Sequence, residues 1–220
     1  MVQHDLPIQV QDLNQLTHNN VIKGKIDLLV LRHMAQQLRL TLLTLEQSSQ
    51  TNSPSVYEFI ERRCSRHRIV FYKPASLFSE EELSFVGFVS GRHIVQDSAI
   101  GDELQYADQD MLAQLIHIPG LLGYSSLEVQ PGRWYNLVVM HNLETKDDLK
   151  QINRHQHAAY QLAPRAYSWI RIHSGIFPGG LLRNTPRLLK TKHYAFLPDQ
   201  HNFQMHEVIY DIQNEESHVR

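Results

Sequence analysis

The sequence predicts an α+β chain, and three observations carry that expectation. A long helical period fills the N-terminal part, strand-like runs rich in Val, Ile, Phe and Tyr begin at Arg66, and two further helical segments interrupt those runs. The 220 residues are 42% hydrophobic and 20% charged, which suits one globular domain with extensions at both ends rather than a disordered chain.

The clearest period is KIDLLVLRHMAQQLRLTLLTLEQ. Ile26, Leu29, Val30, His33, Met34, Gln37, Leu38, Thr41, Leu42 and Leu45 recur at i, i+3, i+4 and i+7 and predict a helix of about 20 residues with a mostly apolar stripe. Its other side holds Leu28, Leu31 and Leu43 with few Lys or Arg, which favours docking on its own domain over lying on a membrane. Ser53 and Pro54 then read as an N-cap and first helical residue for a second helix, SVYEFIERRC. From Arg66 the pattern becomes RIVFYKPA and LSFVGFVSGR, two strands. Leu104, Met111, Leu112 and Leu115 place a helix at about 102 to 118, closed by IPG. LLGYSSLEVQPGRWYNLVVMHN reads as a hairpin about Pro131 and Gly132, KDDLKQINRHQHAAYQLAPRAY as a helix up to Pro164, and WIRIHSG as the last core strand. Taken from FVGFVSG, the order is strand, helix, strand, strand, helix, strand, a ferredoxin-like βαββαβ core. Residues 1–65 are expected as an N-terminal helical extension, 66–180 as the α+β domain, and 181–220 as a tail. The tail's strand-like segment, Lys190 to Leu197, would add to the sheet edge beside RIVFYKPA, with a polar, frayed end after it.

A formal charge of -2 exerts no whole-chain pull toward nucleic acid or anionic membrane, and the dense basic run from Arg62 to Arg68 fits a solvated helix end. Cys64 is the only cysteine, so an intramolecular disulfide and a Cys-based metal cluster are excluded, in keeping with a reducing cytoplasm. The first 20 residues lack the basic start and apolar core of a signal peptide, and no stretch reaches about 18 apolar residues. A cytoplasmic protein with neither membrane nor nucleic-acid partner is expected. Fourteen histidines include no HxxxH or HExxH pair, and His155 and His157 would point to different sides of a helix, so no metal ligand set is expected.

On RWYNLVVM, HAAYQLAP and IRIHSG, over about residues 84 to 177, the chain resembles the dimeric α+β-barrel superfamily. That superfamily includes antibiotic-biosynthesis monooxygenase-like proteins and heme-degrading monooxygenases, and the combination is also similar to a cyanobacterial type. The resemblance implies a homodimer in which one sheet face packs on two helices and the other meets a second subunit or lines a cavity. Assigning the apolar alternates Tyr135, Leu137, Val139, Ser125, Leu127, Val129, Ile170 and Ile172 to the helices leaves Tyr124, Ser126, Glu128, Trp134, Asn136, Val138, Trp169, Arg171 and His173 together on the other face.

Two Trp beside Arg, His, Glu and Asn suit neither a water-facing surface nor a plain core, whereas an aromatic-walled cavity with a few polar groups is what a small molecule requires. In such a site Arg171 would hold an anionic oxygen, His173 would carry a proton, and Asn136 would orient by hydrogen bonds. Trp134, Trp169, Tyr124 and Glu128 would line it, with His157 looking over its edge. A structural alternative pairs Arg171 with Glu128 across the sheet and has His173 satisfy a backbone carbonyl at a dimer interface. Three functions follow. The resemblance implies a cofactor-independent monooxygenase-like enzyme acting on an aromatic or polyene molecule. A noncatalytic dimeric scaffold with the long helix as working surface is the second. A heme or tetrapyrrole binder with His157 or His173 as axial ligand is the third, although heme degraders of this superfamily take Asn and Trp from different elements, and here Trp134 and Asn136 share one strand.

Overall fold

The computed structural model describes residues 10–48, 54–62, 65–79, 81–93, 98–147, 157, 161–196 and 203–210. Val10–Ser48 is one unbroken helix, α1, of 39 residues, roughly 58 Å long at the helical rise per residue. No proline interrupts it, and Gly24 is its single glycine. Its buried stripe is Leu28, Leu31, Met34, Ala35, Leu38, Leu42 and Leu45. The expected stripe was out of phase at its start, because Ile26 and Leu29 are 50% and 62% exposed while Leu28 and Leu31 point inward. Both sides of that turn are apolar, so periodicity alone did not fix which side docks.

Residues 55 to 60, expected to be helical, form strand β1 (Ser55–Ile60). Its aromatic and β-branched residues alternate in exposure and pair antiparallel with β2 (Arg66–Phe71), so tertiary pairing decides over the Ser-Pro helix signal. After the short helix α2 (Pro74–Leu77) come β3 (Leu83–Arg92), α3 (Ser98–Leu115), β4 (Leu121–Gln130) and β5 (Arg133–Met140). β4 and β5 pair about Gly132, whose φ of +78° meets the need for glycine at that turn. The helix expected before Pro164 lies largely outside the described residues; its visible end is α4 (Ala163–Ala166), with His157 also helical. β6 (Tyr167–Phe177), β7 (Arg187–Phe196) and β8 (Phe203–Ile209) complete the chain.

All eight strands form one antiparallel sheet in the order β1-β2-β4-β5-β3-β6-β7-β8. The tail strand β7 therefore pairs with β6, not with RIVFYKPA, and β8 extends that edge by one further strand. α1 lies across one face, its buried stripe packed on Phe85, Val89, Leu127, Tyr135, Leu137 and Val139. α3 packs on the other face against Val70, Tyr124, Val86 and Val138, and α4 beside Phe88, Ile170 and Ile172. Gly87 of β3 permits the close approach of α1, since a Cβ there would come 2.8 Å from Leu31. Among the described residues no helix is long and apolar enough to cross a membrane.

Candidate functional site

Strand register divides the residues that the sequence groups on one face. Val89 of β3 lies between Tyr135 of β5 and Arg171 of β6, so Arg171, His173 and Trp169 share the face of Tyr135, Leu137 and Val139. Trp134 and Asn136 lie in register with Ser90 and Phe88, and through them with Ile170 and Ile172, on the opposite face. Placing Ile170 and Ile172 with Leu137 because they are apolar was therefore a phase error. It fails because α1 brings its own carboxylate into the core, which makes Arg and His the inward residues of β6.

That carboxylate is Asp27. Arg171 donates to it from Nε at 2.5 Å and from Nη2 at 2.9 Å, Tyr135 donates its hydroxyl at 2.9 Å, and His173 Nε2 lies 3.1 Å away. Asp27 and His173 are fully buried and Arg171 nearly so. Burial pushes the Asp27 carboxyl up, but the hydrogen bonds from His173 and Arg171, with their charges, outweigh it and hold it at about 2. An ionised carboxylate only accepts, so His173 donates through Nε2, while its Nδ1 meets Thr191 Oγ1 at 2.8 Å and Thr191 meets the Tyr210 hydroxyl at 3.2 Å. Gly24, one turn before Asp27, leaves the space that Tyr210 occupies. The Arg171 guanidinium stacks on Trp169, 3.9 Å from the ring centroid.

Arg171 thus pairs with Asp27 and not with Glu128, whose Oε1 instead accepts from the Gly132 amide at 3.1 Å. α1 covers this face, so Trp169 needs no second subunit to cover it. Both nitrogens of His173 are engaged, which leaves none for an axial bond to heme iron. On β7, His193 lies beside Arg171; burial and the neighbouring Arg171 charge hold its imidazole down at about 4.

The opposite face carries Tyr124, Trp134 and Asn136. Trp134 Nε1 and Asn136 Oδ1 are buried with no hydrogen-bond partner among the described residues, and the two side chains stand two positions apart on one strand. Tyr124 is fully buried, and burial pushes its phenol far up. From α3, Asp108 reaches over this face and pairs with Arg68 Nη1 at 3.5 Å. Burial pushes the Asp108 carboxyl up against the pull of Arg68. A carboxyl raised in this way beside buried aromatic groups binds a proton more readily than a free aspartate. His157 is adjacent to α3 as well, its Nε2 3.5 Å from Glu103.

Sequence reading therefore named Arg171, His173, Asn136, Trp134, Trp169, Tyr124, Glu128 and His157, but the fold separates Arg171, His173 and Trp169 from the rest. Asp27 and Asp108 were missed. Asp27 had a signal, an acid between Ile26 and Leu28 in an apolar period, whereas Asp108 sits in the ordinary polar run YADQD.

No protein-family model and no curated protein matches the chain. Two solved structures are similar, each over 44% of this chain and 91% of its own length: a protein from Shewanella oneidensis at 13% identity with a TM-score of 0.36, and SnoaB, a cofactor-independent oxygenase from Streptomyces nogalater, at 14% identity with a TM-score of 0.32.

Proposed function

We propose that the chain is a small-molecule enzyme of the cofactor-independent monooxygenase-like type, acting on an aromatic or polyene substrate between α3 and the sheet face of Tyr124, Trp134 and Asn136. The order β4-β5-β3-β6 supports a ferredoxin-like core, to which the N-terminal and C-terminal extensions add α1, β1, β7 and β8. The observation that carries the reading is the pair of buried polar atoms, Trp134 Nε1 and Asn136 Oδ1, that find no partner among the described residues. Such atoms cost about 1–3 kcal/mol each unless a partner arrives, and a substrate oxygen for the indole N–H with a hydroxyl for the amide oxygen supplies both. Asp108 then takes a proton from an acidic phenol or enol, Tyr124 and Trp134 form the walls, and the substrate anion reduces dioxygen: one oxygen bonds to the activated ring carbon as a hydroperoxide and, with loss of that carbon's hydrogen, becomes a carbonyl, while the other leaves as water. Arg171 and His173 hold α1 in place in this reading, and Asn136 keeps its orienting role. With one cysteine in the chain, the reducing cytoplasm is the proposed setting.

The homodimer implied by the resemblance is assigned to the outer side of α1. There Ile22, Ile26 and Leu29, spaced four and three, and further along the same stripe Leu40 and Leu43, three apart, are exposed on a side by which a helix can pack on a second copy of itself. A noncatalytic dimer is the competing reading. Heme binding is left with His157 alone, and a visible spectrum with and without added hemin separates it from the others. The main reading is tested by fluorescence titration and oxygen uptake with a panel of polycyclic phenols. Binding that Asn136→Leu weakens about 10-fold, with turnover removed by Asp108→Asn, supports it. Binding indifferent to Asn136→Leu overturns it.

A further inference from the structure

Three lone-pair side chains from separate parts of the chain converge on the α1 side of the sheet: His33 from α1, Glu61 just after β1, and His67 from β2. His33 Nε2 lies 3.0 and 2.8 Å from the two Glu61 oxygens, His67 Nδ1 lies 2.5 Å from Oε1, and one ligand atom from each residue falls within 4.8 Å of the others. The His67 ring is fully buried, its centroid 4.9 Å from that of the tilted Phe59 ring, and its other nitrogen, Nε2, is 2.7 Å from Ser125 Oγ. With the proton on Nδ1, His67 donates to Glu61 and accepts from the Ser125 hydroxyl; with Nε2–H donated to Ser125 Oγ, the Nδ1 lone pair faces the carboxylate and is free to take a metal.

We propose that His33, Glu61 and His67 form a binding site for a divalent first-row transition metal, zinc foremost, with one coordination position left open on the solvent side of His33. Two imidazoles and one carboxylate are a zinc donor set and a poor one for magnesium or calcium, which take oxygen. Tetrahedral zinc with bonds of about 2.0–2.1 Å sets its ligand atoms roughly 3.3 Å apart, so the present spacings need to widen by less than about 1 Å. The His33 side chain is 42% exposed and Glu61 stands at a strand end, so both can make that adjustment. Ser125 fixes the tautomer and orientation of His67, as the outer partner of a metal-bound histidine does. A metal here would tie the middle of α1 to the β1–β2 hairpin and could carry a water in its open position. The site lies across the sheet from Trp134 and Asn136 and does not depend on the substrate reading.

Calorimetric titration of the metal-stripped full-length chain with zinc chloride, and visible spectroscopy with cobalt(II), test this. One zinc per chain is expected to bind, weakened about 100-fold or more by His33→Gln and by Glu61→Gln, about 10-fold by Ser125→Ala, and unchanged by His206→Gln on exposed β8. Cobalt is expected to give the intense visible bands of a four-coordinate ion, lost in His33→Gln. Because the His33 side chain is 42% exposed and outside the buried stripe of α1, that variant is expected to keep the fold, as circular dichroism will check. Zinc binding no tighter in the parent chain than in His33→Gln, or a cobalt spectrum no stronger than that of the hydrated ion, overturns the proposal and leaves an ion pair of Glu61 with its histidines.

Discussion

Asp27 concentrates more consequence than any other single residue, because it accepts hydrogen bonds from three side chains inside the core. Asp27→Leu strands the Arg171 charge and is expected to cost about 3–5 kcal/mol in urea unfolding, whereas Asp27→Leu with Arg171→Met regains most of the loss. Pairing Arg171→Met with Glu128→Gln is expected to regain none. The same carboxyl gives acid sensitivity a definite direction. Its folded value of about 2 lies below the ordinary 3.8, so its stabilisation is fully present above about pH 4 and is lost as pH falls toward 2. The expected contribution is about 2 kcal/mol, and Asp27→Asn/Arg171→Met should flatten that part of the pH–stability curve. The aspartate was legible in KIDLLV as an acid in an apolar period. Its partner was not, since Arg171 lies 144 positions away and no local rule joins them.

At the scale of the element, the phase of α1 can be checked with two leucines. Leu31→Ala opens a cavity under Gly87 and is expected to cost about 2–5 kcal/mol, more than Leu29→Ala, measured by thermal or urea unfolding. A larger loss from Leu29→Ala than from Leu31→Ala would mean that the helix docks on its other side. Most elements from β2 onward could be read from composition and turn residues, the Pro131–Gly132 hairpin most plainly. β1 could not, because SVYEFI follows a Ser-Pro helix signal and gains its strand identity from pairing with β2. β6 was legible as a strand but not in its facing, for alternation defines two faces without saying which one a buried acid will claim.

For the molecule as a whole, helices of the chain pack on both sheet faces, so the proposed self-association is assigned to the outside of α1. Sedimentation at micromolar concentration is expected to give a dimer, and Leu29→Glu a folded monomer; a parent chain that sediments as a monomer removes that interface. The α+β class was readable from the succession of periods, and so was part of the opposite-face cluster, since Trp134 and Asn136 sit two apart on a clear strand. The convergence of His33, Glu61 and His67 was not, because spacings of 28 and 6 residues follow no ligand motif and meet only when α1 crosses the β1–β2 hairpin.

That crossing also orders events in time. α1 is made well before β6, yet its buried acid waits there for Arg171 and His173, and Gly24 waits for Tyr210 later in the chain. Until then Asp27 lacks its Arg171 and His173 partners, even where the apolar stripe meets strands already made. Native closure therefore comes late and joins distant parts of the sequence, a route on which folding is slow and the unfinished chain depends on being kept from its neighbours while it is made.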